Sequence, residues 1–174
     1  MFLFGIVPVA EARMSNLGIE AYQGKPVFHF RARAYPLAFY GNFLKAEAVL
    51  DSLVSVQSSD PVLFRQELIL PGKVPVIKEI SYNQSKGIMT VAGVQRLILP
   101  HTQDPLSAMF NLRQYPFAQD TDVEISINTN QKNYVLKGKA VQRELTYRNQ
   151  GYSCVVAETI IKRRDKDNPY HQSN

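Results

Sequence analysis

The sequence predicts a mainly β fold: a curved antiparallel sheet or incomplete β-barrel with one short helix, Asp104 to Arg113, packed against it. Three observations carry this. Apolar and polar residues alternate at period two in several runs, most cleanly in Val27 to Ala34. Short turn-rich segments separate those runs, as in an antiparallel meander. One stretch alone combines a helix cap with helical spacing. The 174 residues suffice for one domain with a core, read as a β-rich domain over 1–162 followed by a loose polar tail over 163–174.

Met1 to Arg13 reads as a first strand, and Pro8, which cannot donate to a ladder, makes it an edge or bulged one. Its apolar body and Ala10-Glu11-Ala12 ending superficially suggest a signal peptide. It has no basic start and is shorter than the roughly 15–30 residues of a signal, so a strand is expected instead. Asn16-Leu17-Gly18 and Gln23-Gly24-Lys25-Pro26 are turn punctuation. In Val27 to Ala34, Phe28, Phe30, Ala32 and Ala34 make a core face, and His29, Arg31 and Arg33 a polar one.

Asn42 to Leu53 reads as a short helix giving way to a strand, because Phe43, Ala46, Leu50 and Leu53 recur at helical spacing among good helix formers. Val62 to Leu70 and Val74 to Tyr82 then flank Pro71-Gly72-Lys73. Asn83-Gln84-Ser85-Lys86-Gly87 turns into Ile88 to Ala92, and Val94 to Leu99 is extended. Beyond the helix, Val123 to Thr129 alternates strictly, a tight turn leads into Tyr134 to Val141, and Leu145 to Arg148 and Tyr152 to Lys162 form a hairpin around Asn149-Gln150-Gly151.

The helix rests on cap chemistry. Asp104 can accept from the free N–H groups of a first turn, Pro105 suits the first helical position, and Leu106, Met109, Phe110 and Arg113 fall on one side. A charged end on that apolar stripe must reach water or find an acid, which gives Arg113 a claim to ligand binding beside its favourable place at a helix C-terminus.

Composition narrows the functional classes. The apolar runs fall far short of the roughly 20 residues of a membrane-spanning helix. Cys154 is the only cysteine, so no internal disulfide or thiolate cluster can form. The net charge of +5 comes from the last quarter: residues 1–130 hold eleven Lys/Arg and eleven Asp/Glu, whereas 131–174 hold nine and four. Those late charges alternate with apolar residues, as on the wet face of a strand, so nucleic acid is not the expected partner.

His29, His101 and His171 have no metal-ligand spacing, and no phosphate-binding loop occurs, so neither metal nor cofactor is expected. His101, Asp104 and Ser107 lie close, yet Ser107 falls inside a helix rather than on a nucleophile elbow. Asp51 and Asp104 would form a carboxylate pair only if the fold joined them.

Thr102-Gln103-Asp104-Pro105-Leu106-Ser107-Ala108-Met109-Phe110-Asn111-Leu112-Arg113 resembles the Asp-x-Leu-Ser-Ala-aromatic-x-x-Arg signature of the DUF3108 family, bacterial proteins of unknown function that are usually exported. Phe4 to Ala12 resembles that family's opening strand and Lys132 to Leu136 a later one. The chain departs from the family in lacking tryptophan and a signal sequence, which implies a natural protein longer at both ends. The resemblance implies an envelope or periplasmic location and a curved antiparallel sheet, with no activity to carry over.

The expected function is therefore a non-catalytic envelope protein that binds a lipid or other hydrophobic ligand in the concave face of the sheet. Its candidate ligand-binding residues are Arg113, Phe110, Met109, Phe28 and Phe30, while Asp104, Pro105, Leu106 and Ser107 form a structural motif. The alternative is a scaffolding module that recruits a protein partner through an exposed strand edge. A hydrolase-type enzyme is the third reading.

Overall fold

The computed structural model describes residues 2–3, 7–8, 10–37, 46–114, 121–147 and 150–164. The chain divides into two compact units, Met1–Leu97 and Ile98–Asn174, and the strands fall into separate antiparallel sheets rather than one.

In the first unit, β1 (Phe2–Leu3) pairs with β2 (Val7–Pro8). The main sheet follows: β3 (Ala10–Tyr22), β4 (Lys25–Pro36), β5 (Glu47–Ser55), β6 (Pro61–Ile69), β7 (Val76–Asn83), β8 (Ile88–Val91) and β9 (Val94–Leu97). Its spatial order is the order of the chain, every neighbour antiparallel. Turn chemistry explains this. Gln23-Gly24 and Ala92-Gly93 both have positive φ at two successive residues, the two-residue turn whose twist matches its flanking strands. Phe30, Phe64, Ile80 and Met89, from four strands, are almost wholly buried and form the core of one face.

Two expectations fail here. Glu47–Ser55 is a strand, not the end of a helix, and residues 42–45 of that expected helix lie outside the described residues. The helix propensity of Ala46, Glu47 and Ala48 is overridden because β5 is paired on both edges, to β4 and to β6, and ladder hydrogen bonds with burial of Ser52, Leu53 and Val54 outweigh a weak local preference. Asn16-Leu17-Gly18 is not a turn between strands. It is a register shift within β3, where Gly18 at φ +99° and its N–H on Asn16 Oδ1 at 2.9 Å let the strand bulge and continue.

The second unit holds α1 (Pro105–Gln114) and the sheet β10 (Asp122–Thr129), β11 (Lys132–Tyr147) and β12 (Gln150–Arg163), in that order. The segments expected as Tyr134 to Val141 and from Leu145 onward are one long strand, β11, and Arg148 and Asn149 lie outside the described residues. Arg163 closes β12 instead of beginning the tail, the Arg164 N–H donates to the Asn133 carbonyl at 2.9 Å, and residues 165–174 lie outside the described residues. Cys154 is half-buried on β12.

Helix α1 packs on this sheet. Ala108 joins Val123, Ile125, Leu136 and Ala140 in a buried cluster, flanked by Leu112 and Ile127. The buried residues of the helix are Leu106, Ser107 and Ala108, with Leu112 partly buried beside them, and Met109 is exposed.

Candidate functional site

The signature stretch is built as a clasp. Asp104 is wholly buried at the cap of α1, its Oδ1 accepting from the N–H of Leu106 at 2.8 Å and of Ser107 at 2.9 Å. Pro105 follows at the first helical position, where its missing donor costs nothing. The Ser107 hydroxyl donates to the Asp104 carbonyl at 3.1 Å. Gln103 ties the turn to β10: its N–H donates to the Ser126 carbonyl and its carbonyl accepts from the Asn128 N–H, both at 2.8 Å. Its Oε1 accepts from Asn111 Nδ2, also at 2.8 Å, which links the turn to the middle of the helix. Thr102 Oγ1 donates to the Leu99 carbonyl at 2.6 Å. These buried polar groups satisfy one another.

The catalytic reading of His101, Asp104 and Ser107 gains nothing from this geometry. His101 is exposed in the turn at φ +52°, while the Ser107 hydroxyl is spent on the helix backbone. Asp104 and Arg113 stand at opposite ends of α1, nine residues or about 13 Å apart along the axis. Arg113 is exposed, and its guanidinium lies over the half-buried Phe110 ring, 5.4 Å from the centroid, so it solves the problem of its apolar stripe by reaching water across an aromatic face.

In the first unit, Phe28 and Phe30 stack with centroids 6.0 Å apart, Phe30 buried and Phe28 half-buried. On the opposite face, Asp51 of β5 meets Arg31 and His29 of β4. Arg31 Nε and Nη2 donate to its two oxygens at 2.6 and 3.1 Å, and His29 Nε2 lies 2.7 Å from Oδ1, while His29 Nδ1 lies 3.2 Å from Glu20 Oε2. Burial pushes the Asp51 pKa up, but the bonds from Arg31 and then His29 outweigh it, and the net shift is downward. Ser52, the adjacent hydroxyl, alternates to the other face, so this cluster serves as a cross-strand ion-pair network.

A cleft opens elsewhere. In a meander, alternate turns share an end, and the β3–β4 turn, the β5–β6 loop and the β7–β8 turn together enclose about 570 Å³. Each wall is held by its own side chains. Asn83 Oδ1 accepts from the Ser85 hydroxyl at 2.9 Å and the Lys86 N–H at 3.1 Å, capping a 3-10 turn over Gln84–Lys86. Ser55 Oγ accepts from the N–H groups of Gln57 at 3.2 Å and Ser58 at 3.3 Å, and Gln23 Nε2 donates to the Tyr22 hydroxyl at 3.3 Å. Amides and hydroxyls dominate the lining, with Lys25 and Lys86 its basic and Asp60 its acidic members.

No family model matches the chain, and no curated protein or solved structure is similar to it. The site therefore rests on geometry. None of Phe28, Phe30, Met109, Phe110 or Arg113 lines the cleft, which is built from residues more than sixty positions apart in sequence. The one signal that reaches it is the regular succession of short turns, which puts every second turn at one end.

Proposed function

We propose that the protein is a non-catalytic binding module of the bacterial cell envelope that takes a small ligand between the turns of its seven-stranded sheet. The observation that carries this is the cleft of about 570 Å³, within the range of about 300–1,000 Å³ common to small-ligand sites. Such sites sit on turns that a scaffold holds still, and the capped 3-10 turn and the Ser55 loop are both pinned in this way. The envelope location rests on the resemblance of Thr102 to Arg113 to exported DUF3108 proteins.

Native mass spectrometry of protein recovered from its own organism is the test. A small-molecule adduct is expected, and it is lost when Gln57→Trp and Ser85→Trp fill the cleft. Protein recovered without adduct, and with an unchanged melting temperature across a metabolite library, would sink the proposal.

A second reading, strand addition to β12, is favoured by Ile160 and Ile161, which are 66% and 60% exposed on its two faces. A 14-residue edge strand of this kind is a template for another strand. Slowed exchange of the outward β12 amides on adding a partner peptide supports it; unchanged exchange with every binding partner tested rejects it.

A further inference from the structure

Resting on the second reading, of β12 as an edge open to another strand, we infer that the strand added is β12 of a second copy of this chain, antiparallel about a two-fold axis at Val156. The end of the second sheet calls for a neighbour. β10 pairs with β11 only from Lys132 to Lys139, so Val141 to Tyr147 of β11 and Gln150 to Val156 of β12 continue as a two-stranded arm. A two-stranded ribbon is marginal in water, and further strands are what stabilise it. Directly opposed residues share a face, and one face of the arm carries Val141 with Val156 and Leu145 with Tyr152. Leu145 and Tyr152 are 49% and 45% exposed, and Ile160 extends the same face along β12.

The edge of β12 is also unguarded. In the other sheet, the β3 edge is broken by the bulge between Asn16 and Ile19, and the outer side of β10 is taken by Gln103, whose N–H and carbonyl bond Ser126 and Asn128. β12 keeps unbroken register with β11 from Gln150 to Arg163 and contains no proline. Among the described residues its outer side pairs with no strand.

Self-complementarity selects the occupant. A two-fold antiparallel pair sets one residue against its own counterpart, and with Val156 at the axis Gln150 to Lys162 of one copy lies against Lys162 to Gln150 of the other, the whole arm included. Tyr152 then faces Ile160 in both directions, an aromatic against a β-branched side chain, and Ser153 faces Thr159, hydroxyl against hydroxyl. The Arg143–Glu158 ion pair stays within its own chain, and Glu158 meets Cys154 of the second copy rather than a like charge. Other centres do worse. Glu158 or Lys162 at the axis would oppose like charges, and Ile160 at the axis would carry the arm past the end of the second β12. The three-stranded sheet becomes six-stranded, and the pairing closes because it uses both β12 edges.

The experiment uses the full chain. Sedimentation equilibrium at rising concentration is expected to show monomer and dimer in equilibrium, and exchange of the outward β12 amides is expected to slow as the dimer forms. Val156→Cys with Cys154→Ser, mildly oxidised at dimer-forming concentration, is expected to give a disulfide-linked dimer, since directly opposed strand residues lie within the roughly 4.4–6.8 Å Cα reach of a disulfide. Ile160→Cys in the same Cys154→Ser background alters a more exposed position, but its counterpart lies roughly 27 Å along the pair, so it should cross-link at least about tenfold more slowly.

A protein that stays monomeric at every concentration overturns the second-copy assignment, and slowed outward β12 amides on adding an unrelated peptide would still uphold strand addition. A dimer whose β12 exchange is unchanged overturns the assignment by placing the contact elsewhere. Cross-linking of Ile160→Cys in preference to Val156→Cys overturns it by fixing another register. The sedimentation and exchange measurements need no substitution, so they decide the matter even where a cysteine variant fails to fold.

Discussion

Arg31 and Asp51 stand directly opposite each other on β4 and β5 and share a two-pronged ion pair, with donor distances of 2.6 and 3.1 Å. The pair continues across the sheet, since Asp51 faces Arg65 on β6 and Arg65 faces Glu79 on β7. Four strands thus alternate in charge along one row, which opposes any slip of register.

Asp51→Asn should therefore destabilise the first unit by roughly 1–2 kcal/mol at neutral pH, a charged hydrogen bond discounted for the partly exposed Arg31. The pKa of Asp51 is lowered by folding, so its contribution is fully present above the ordinary value of 3.8 and fades as pH falls through the folded-state pKa. Urea melts of the two proteins at several pH values check this: the gap between them closes in acid and stays constant above about pH 5.

Asp104→Ala removes the acceptor for two buried N–H groups. A cost of about 1–2 kcal/mol is expected, at the upper end for a cap because neither donor can turn to water. Asp104→Asn keeps one oxygen and should recover more than half of the loss. Chemical denaturation followed by helix-sensitive signals from α1 distinguishes the two variants.

Gly138→Ala tests a close approach between strands. A Cβ there would sit 2.0 Å from the Glu158 carbonyl oxygen, so β11 and β12 would have to part. A loss of at least about 2 kcal/mol is expected, in the range for overpacking. Gly151→Ala, which meets nothing within 4 Å on the same strand pair, is the control and should be neutral or stabilising by up to about 1 kcal/mol.

Ile160→Lys with Ile161→Thr replaces two exposed apolar side chains on the β12 edge. Stability should stay within about 0.5 kcal/mol of the parent. Self-association, followed by sedimentation at rising concentration, should fall, because an apolar edge strand is the part most prone to pair with another.

Much of this architecture was legible in the sequence. The alternation of Phe28, Phe30 and Ala32 with His29, Arg31 and Arg33 is β4 as observed, and Asp104-Pro105 marks the start of α1. What failed had common causes. The helix expected before Leu53 lost to pairing on both edges of β5, a long-range effect with no local trace. The rotation of α1 departs from the expected one: Gln103 and Asp104 are bonded into β10 and the first turn, and Met109 faces outward. The cleft was invisible for a different reason: its walls are short polar turns that each look like ordinary punctuation.

The consecutive strand order also bears on how the protein comes to fold. Every ladder in the seven-stranded sheet joins sequence neighbours, through loops that close over few residues except between β4 and β5. Loop closure is cheap over such spans, and contact order is low for an all-β unit. The sheet can therefore assemble hairpin by hairpin during synthesis, with the slow step at the β4–β5 connection and not at the turns that wall the cleft.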